Sequence, residues 1–193
     1  MDQPPDIENR PTLGADLRAL RKSRGATLSW LAGELNRSVG WLSQVERDLS
    51  QPSVGDLRHI AAALDVPLSM LFGHAAAPAE EAGHVVRAGA RRQIGSGEGG
   101  GGLVEELLSP DLTDDFEMVH STFAPRSRAG EIIRRETQEV GFMISGRLEL
   151  WIEGRTLTVG PGDSFRIRGE AHEWINPYDE AAVAIWVIAP PVY

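Results

Sequence analysis

The sequence predicts an α+β protein of two domains, an N-terminal helical bundle and a C-terminal all-β domain. Before residue 74, apolar residues recur at the three- and four-residue spacing of amphipathic helices. Beyond residue 84 they form short runs such as GFMISG, LELWI and AVAIWVI, bounded by turn-forming residues. The stretch AAAPAEEAG between the two patterns has the composition of a linker. We expect a tail at 1–12, a helical domain at 13–73, a linker at 74–84 and a β domain at 85–193.

Composition excludes several classes of function. The chain has no cysteine, which rules out a disulfide-stapled fold, a thiolate zinc site and a cysteine nucleophile. No apolar run approaches the roughly 18 residues of a membrane-spanning helix. The start of the chain lacks the basic and apolar regions of a signal peptide. We therefore expect a soluble, cytoplasmic protein that does not use a membrane.

Charge is distributed unevenly between the two halves. The net charge of −9 is by itself unfavourable for binding nucleic acid. Residues 10–50, however, carry seven basic and four acidic side chains, whereas residues 75–193 carry eleven arginines and nineteen acidic side chains. A locally basic face can bind phosphate while the rest of the chain repels it. The asymmetry thus leaves DNA as a partner for the N-terminal half.

The N-terminal half is predicted to contain five helices. The first runs from Leu13 to Ser23, with its leucines on one face and its basic residues outside. Thr27, Ser38 and Ser53 each precede an apolar periodic segment and are candidate N-caps of helices two, three and four. A short fifth helix is expected over Pro67 to Leu71. Two short helices joined by a tight turn can present the second one to DNA, although ordinary helical bundles contain such turns too.

The same region resembles the xenobiotic-response-element (Cro/C1-type) helix-turn-helix family. The matching pieces are LR-x-LR, WLSQVER, QPSV and L-x2-IAAALDVPL. Asn36 and Asp48 stand where the family often has glycine. Asparagine and aspartate both tolerate the left-handed backbone conformation, so we expect both turns to form.

The resemblance implies that the first residues of helix three enter the major groove. Gln44 is then the best single base-reading residue, because an amide can bond the adenine edge through two hydrogen bonds. Arg37 and Arg47 are expected to anchor phosphates. Trp41 has two interpretations, packing beside Trp30 or contacting the DNA backbone. The residues expected at the DNA are Thr27, Ser29, Arg37, Ser38, Val39, Gly40, Trp41, Ser43, Gln44 and Arg47.

The remaining roles in this half follow from the same resemblance. Thr27 and Ser29 lie at the start of helix two, where free backbone N–H groups suit a phosphate. Val39 is suited to meeting a thymine methyl group. Arg21 and Glu46 occupy positions that form a structural salt bridge in related repressors, so we expect them to stabilise the fold.

The C-terminal half resembles the cupin family. Its first motif is represented by the E-x6-G spacing from Glu139 to Gly146, and its second by G-x2-H-x3-N from Gly169 to Asn176. The GPGDSF stretch at 160–165 matches the turn and strand between the motifs. The resemblance implies a double-stranded antiparallel barrel that is closed enough to bury a small cavity. The fold class is thus a five-helix helix-turn-helix bundle followed by a cupin barrel.

The usual metal site of cupins is incomplete in this sequence. That site takes three histidines and a carboxylate, and only Glu139 and His172 remain. The first histidine pair would fall within residues 133–135, where Arg135 adds a positive charge instead. We therefore expect no cofactor, with iron or zinc at Glu139 and His172 as the alternative.

Arg135 supports two interpretations. A fixed guanidinium near an imidazole suits the carboxylate, sulfonate or phosphate of a small anionic effector. Alternatively, Arg135 forms an ion pair with Glu139, and the charges of the pocket are then neutralised without a ligand. The ligand-binding candidates are Arg135, Glu139, His172 and Asn176.

The combined pattern predicts a transcriptional regulator. The helical domain would bind a double-stranded DNA operator as half of a homodimer, and the cupin domain would dimerise and hold the effector. One alternative is an enzyme, since a helical domain joined to a cupin also resembles hydroxypropylphosphonate epoxidase. Its iron needs two histidines and a carboxylate, whereas this chain has Arg135, Glu139 and His172 at those positions. A second alternative is a cupin isomerase with a vestigial helix-turn-helix.

Overall fold

The computed structural model describes residues 12–66, 68–71, 80–81, 83–94 and 101–192. They form two compact units, one with residues up to Arg91 together with Pro110–Thr113, the other with Arg92–Ser109 and residues from Asp114 onward. The predicted tail up to residue 11, most of the predicted linker and residues 95–100 of the glycine stretch lie outside the described residues. No helix in the described part is long and apolar enough to cross a membrane.

The first unit is built on four α-helices, α1 to α4, which span Leu13–Ser23, Leu28–Glu34, Val39–Val45 and Val54–Leu64. The predicted bounds of the first helix are confirmed. The three predicted N-caps are also confirmed, because the hydroxyl groups of Thr27, Ser38 and Ser53 each accept a backbone N–H from the first turn of the following helix. Local capping chemistry therefore fixes where α2, α3 and α4 begin.

The predicted fifth helix is wrong. Leu68–Leu71 forms a single 3₁₀ turn, and Pro67 lies outside the described residues. Four residues are too few for an α-helical ladder of hydrogen bonds, yet the turn is enough to bury Met70 and Leu71. The described part of this unit thus has four α-helices.

The two predicted turns with left-handed backbone are confirmed at Asn36 and Asp48, whose φ angles are 50° and 58°. The carboxylate of Asp48 also accepts the backbone N–H of Gly14 at 2.9 Å. A Cβ on Gly14 would lie 2.4 Å from the carbonyl oxygen of Val45, so glycine is required there. This close approach fixes the start of α1 against the end of α3.

The described residues of the second unit form ten strands, β1 to β10, arranged in two antiparallel sheets. The six-stranded sheet has the order β1-β2-β3-β10-β5-β8 and the four-stranded sheet the order β4-β9-β6-β7. The strands span Arg92–Gln93, Leu103–Leu107, Glu117–Phe123, Ser127–Arg128, Gln138–Ser145, Leu148–Ile152, Arg155–Val159, Ser164–Arg168, His172–Asn176 and Ala182–Ala189.

The predicted closed barrel is not observed. No ladder joins the two sheets among the described residues, and both keep their edge strands. Residues 129–137, which precede β5, contribute only one bridge, between Ile133 and His172. The architecture is therefore an open pair of antiparallel sheets.

Side chains of the six-stranded sheet alternate between two faces. On β10, Ala182, Ala184, Trp186 and Ile188 are buried, and the strands on either side place buried residues opposite them. This inner face carries the core together with several polar groups. The outer face of β5 is exposed and carries the apolar side chains of Val140, Phe142 and Ile144.

Candidate functional site

The α3 helix presents one buried side and one exposed side. Leu42 and Val45 are buried in the bundle, whereas Val39 is 44% exposed. Gly40 and Gln44 are also exposed and Ser43 is half-buried. The exposed side therefore carries the side chains predicted to face the major groove.

Arg37 forms an ion pair with Asp56 that was not predicted from the sequence. Its guanidinium donates two hydrogen bonds to one carboxylate oxygen of Asp56, at 2.8 and 3.1 Å. It also lies 5.0 Å from the ring centre of Trp41, within the range of a cation–π contact. The Ser53 hydroxyl and then Arg37 lower the pKa of Asp56 to about 2, so this carboxylate stays ionised.

This arrangement also bears on Trp41. Among the described residues no ring contact joins Trp41 to Trp30, which is 46% exposed. Trp41 is half-buried beside the guanidinium of Arg37 instead. The two environments expected for Trp41 were packing beside Trp30 and contact with the DNA backbone. Neither includes Arg37, which is expected to contact a phosphate.

The other predicted DNA contacts lie on the surface. Thr27 and Ser29 are exposed at the start of α2, and Ser38 is exposed at the start of α3. Arg47 is exposed, and its Nε donates to the carbonyl oxygen of Ser43 at 3.1 Å. These groups can reach a ligand without any rearrangement of the bundle.

The predicted structural pair of Arg21 and Glu46 is confirmed. Nε and Nη2 of Arg21 donate to the two carboxylate oxygens of Glu46 at 2.6 and 2.8 Å, and both side chains are buried. Nη1 of Arg21 also donates to the carbonyl oxygen of Ala26. The two-pronged geometry ties α1 to the end of α3 and holds the exposed side of α3 in a fixed orientation.

The inner face of the second unit brings Glu139 and His172 together, as the motif resemblance predicted. Nε2 of His172 lies 3.9 Å from Oε2 of Glu139, and both side chains are buried. Thr137 and Trp186 donate to the two carboxylate oxygens of Glu139 at 2.7 and 2.9 Å. Nδ1 of His172 lies 3.0 Å from the carbonyl oxygen of Glu170, which fixes the ring.

These residues do not fit a tight metal site. Within the described ranges, no group of three or more histidine, aspartate or glutamate side chains is arranged to hold a metal ion. Glu139 and His172 supply two donors, fewer than the three protein ligands of a catalytic zinc site, and Glu139 already accepts two hydrogen bonds.

Asn176 and Arg135 lie in environments that differ from the predicted ones. The side-chain amide of Asn176 is fully buried and bonds four backbone groups, those of Phe123, Ala124, Tyr178 and Glu180. Asn176 thus holds the backbone at residues 123–124 to that at residues 178–180, and its side chain does not face a ligand site.

Arg135 is exposed, and among the described residues no hydrogen bond or ion pair links it to Glu139. The predicted alternative of an Arg135–Glu139 pair is therefore not observed, although the charge of Arg135 still acts on the inner-face carboxyls of Glu105 and Glu117.

Two carboxylates of the inner face were missed by sequence reasoning. Glu117 on β3 is buried, and Glu105 on β2 accepts a hydrogen bond from Ser121 at 3.3 Å. Burial and then the charge of Glu105 raise the pKa of Glu117 to about 7, although a backbone N–H of Val192 and the charge of Arg135 oppose the shift. Burial likewise raises the pKa of Glu105. The alternation of inward- and outward-facing side chains along β2 and β3 would have placed both carboxyls on the inner face, but only once the register of the two strands was known.

Comparison with known proteins covers both units. A helix-turn-helix domain model matches residues 12–71, and a cupin domain model matches residues 119–188. The chain is 28% identical over 163 residues to the HTH-type transcriptional regulator SutR of Escherichia coli, covering 82% of this chain and 83% of SutR. It is 24% identical over 167 residues to the HTH-type transcriptional regulator PuuR of the same species, covering 84% and 86%.

Other similarities are restricted to one domain or are more remote. The immunity repressor of Bacillus phage phi105 is 37% identical over 62 residues, which are 32% of this chain and 43% of that repressor. Among solved structures, an HTH_3 family transcriptional regulator from Vibrio cholerae has a TM-score of 0.45 at 21% identity, covering 92% of this chain and 94% of the other. The cupin domain of an XRE family regulator from Enterobacter cloacae has a TM-score of 0.42 at 25% identity, covering 46% and 96%.

The two domain matches and the regulators define the class of this protein. The chain joins a helix-turn-helix domain of the Cro/C1 type to a cupin domain, and its class is that of helix-turn-helix transcriptional regulators with a cupin domain.

Proposed function

We propose that the protein binds a specific DNA operator as a homodimer in the cytoplasm and that its cupin domain senses a small effector. The observation that carries the proposal is the exposed side of α3, where Val39, Gly40 and Gln44 project from a helix held by the buried Arg21–Glu46 pair. A rigid helix with free polar and apolar groups in its first two turns suits direct readout of base edges.

A pair of substitutions tests this function by separating base contacts from phosphate contacts. We expect Gln44→Ala to cost about 1–3 kcal/mol on the preferred duplex and to relax the preference at one base position. We expect Arg47→Ala to weaken binding to all duplexes alike and to reduce the salt dependence, because it removes a cation and no base contact. The measurement is titration of duplexes that the wild-type protein selects from a randomised library. Unchanged base preference in Gln44→Ala would place the recognition helix elsewhere.

Homodimerisation is supported by the outer face of the six-stranded sheet. On β5, Val140, Phe142 and Ile144 are 48%, 46% and 49% exposed. On β10, Val187 lies opposite Val140 and Ile185 lies opposite Phe142, so the apolar surface continues across two strands. Contiguous apolar patches on soluble proteins mark interaction sites. We assign this face, called the β5–β10 face below, to a second copy of the chain, since a two-fold operator needs two recognition helices.

A sensing role is favoured over catalysis by the donor set of the inner face. The mononuclear iron chemistry of the enzyme alternative needs a third ligand, and Arg135 is exposed where that ligand would stand. The relatives that match over most of both chains are named as transcriptional regulators. We therefore place effector binding, and no turnover, at the inner face around Glu139 and His172.

The three carboxyl groups of this inner face favour a cationic effector over the anion that Arg135 predicted, although the charge of Arg135 also reaches Glu105 and Glu117. Glu105, Glu117 and Glu139 all carry carboxylates there, and the indole of Trp186 lies against Glu139. A small organic ammonium ion would favour the ionised form of Glu117 and lie against an aromatic ring.

Butylammonium and butyrate, two probes of similar size and opposite charge, separate the two proposals. We expect butylammonium to raise the melting temperature of the wild-type protein, more at pH 8 than at pH 6, because binding requires ionised Glu117. Glu117→Gln should reduce this rise. The opposite result would be a rise in melting temperature with butyrate and none with butylammonium. If Arg135→Ala then abolished that rise, the effector would be an anion bound by Arg135.

A further inference from the structure

The chain uses the same tripeptide, Ser-Val-Gly, to begin two helices. Residues 38–40 open α3 and residues 53–55 open α4, and in both cases the serine hydroxyl accepts the backbone N–H of the residue three positions later. The valine that follows is exposed in both, by 44% at Val39 and 56% at Val54. Gly40 and Gly55 therefore occupy the same position, two residues after the capping serine, although α4 alone also has a capping box, in which Asp56 accepts the backbone N–H of Ser53.

Neither glycine is required by the protein itself. A Cβ on Gly40 would meet only the Ser38 hydroxyl oxygen, at 4.0 Å, and a Cβ on Gly55 only that of Ser53, at 3.6 Å. Neither residue has a positive φ angle. Alanine is the better helix former at such positions, because glycine loses more backbone freedom on folding. Gly14 is different, since a Cβ there would lie 2.4 Å from a backbone oxygen.

Gly40 differs from Gly55 in its surroundings on the recognition helix. It lies between Val39 and Trp41 and one turn before Gln44, on the side of α3 that the proposed function places in the major groove. Glycine allows a backbone to approach a ligand more closely than any other residue does.

We infer that Gly40 is a specificity-determining residue, the point where the backbone of α3 comes closest to the base edges. This inference rests on the proposed function. With no Cβ at residue 40, the first turn of α3 can lie deep in the groove, so that Val39 reaches a thymine methyl and Gln44 an adenine edge. An added methyl group would hold the helix away from the bases without disturbing the fold.

The test compares Gly40→Ala with Gly55→Ala in the full-length protein. Both variants should melt at or above the temperature of the wild type. We expect Gly40→Ala to lower the affinity for the duplex selected by the wild type about tenfold or more, with unchanged affinity for a scrambled duplex. Gly55→Ala should keep the wild-type ratio of the two affinities. A repeat of the selection with Gly40→Ala should show altered preference at the bases that face Val39.

Two outcomes would overturn the inference. One is a Gly40→Ala variant with the wild-type ratio of selected to scrambled affinity, and the other is an equal loss of that ratio in Gly55→Ala. A wild-type protein that selects no duplex at all would instead remove the proposed function, so the two failures are distinguishable.

Discussion

Replacement of Phe142 by aspartate is expected to convert the proposed dimer into a monomer and to lower operator affinity by about a hundredfold or more. The side chain lies on the outer side of β5, 46% exposed, so the core of the cupin domain should tolerate the change. In a two-fold interface the substitution places two charges in an apolar contact, one from each subunit. The monomer then loses the gain that comes from binding two half-sites at once.

Sizing by light scattering at micromolar concentration, followed by operator titration, measures both effects. Ile132→Asp is the matched control, because this side chain is 57% exposed but lies outside β5 and β10. It should remain a dimer with wild-type affinity. A Phe142→Asp variant that still elutes as a dimer would assign dimerisation to a face other than the β5–β10 face.

The folded protein is expected to lose stability as the pH rises from about 4.5 to about 7, through Glu117. Its carboxyl titrates near 4.5 when unfolded and at about 7 in the folded chain. Between these values the native state holds a proton that the unfolded state has released. The native state then binds more protons, so the free energy of unfolding falls with rising pH and levels off above 7. The shift corresponds to about 3 kcal/mol.

Glu117→Gln should weaken this dependence, leaving the part that comes from the raised pKa of Glu105, and should be the more stable protein at pH 8. Urea unfolding of the full-length chain at several pH values from 5 to 8 gives the slope for each variant. Glu136→Gln, which changes an exposed carboxyl, should keep the slope of the wild type. If the Glu117→Gln protein follows the wild-type pH profile, the carboxyl of Glu117 is already ionised in the folded wild-type protein. The inner face is then more polar than its burial indicates.

The helix-turn-helix unit was largely predictable because its determinants are local. A hydroxyl residue before an apolar period is enough to place the caps at Thr27, Ser38 and Ser53. The pairing of Arg37 with Asp56 was not predictable, since the two residues are 19 positions apart and meet only when α4 packs beside the turn before α3. The fifth helix failed because burial of two side chains needs no more than one 3₁₀ turn.

The cupin unit was predictable in its strands and in the meeting of Glu139 with His172, but not in its electrostatics. Which residues of β2 and β3 face inward depends on register, and a shift by one residue would turn Glu105 and Glu117 to solvent. The position of Arg135 depended on a strand that does not form, and the clamp made by Asn176 depends on loops distant in sequence.

The bond between Arg37 and Asp56 has a consequence for how the protein would search a genome. A cation that is already neutralised by its own chain displaces few counterions when it meets a phosphate. Together with the net charge of −9, this keeps attraction to arbitrary DNA weak. Encounters with wrong sites are then brief, and a larger share of the molecules stays free to sample new positions. Selectivity would thus gain from short residence on the wrong sequence as well as from contacts with the right one.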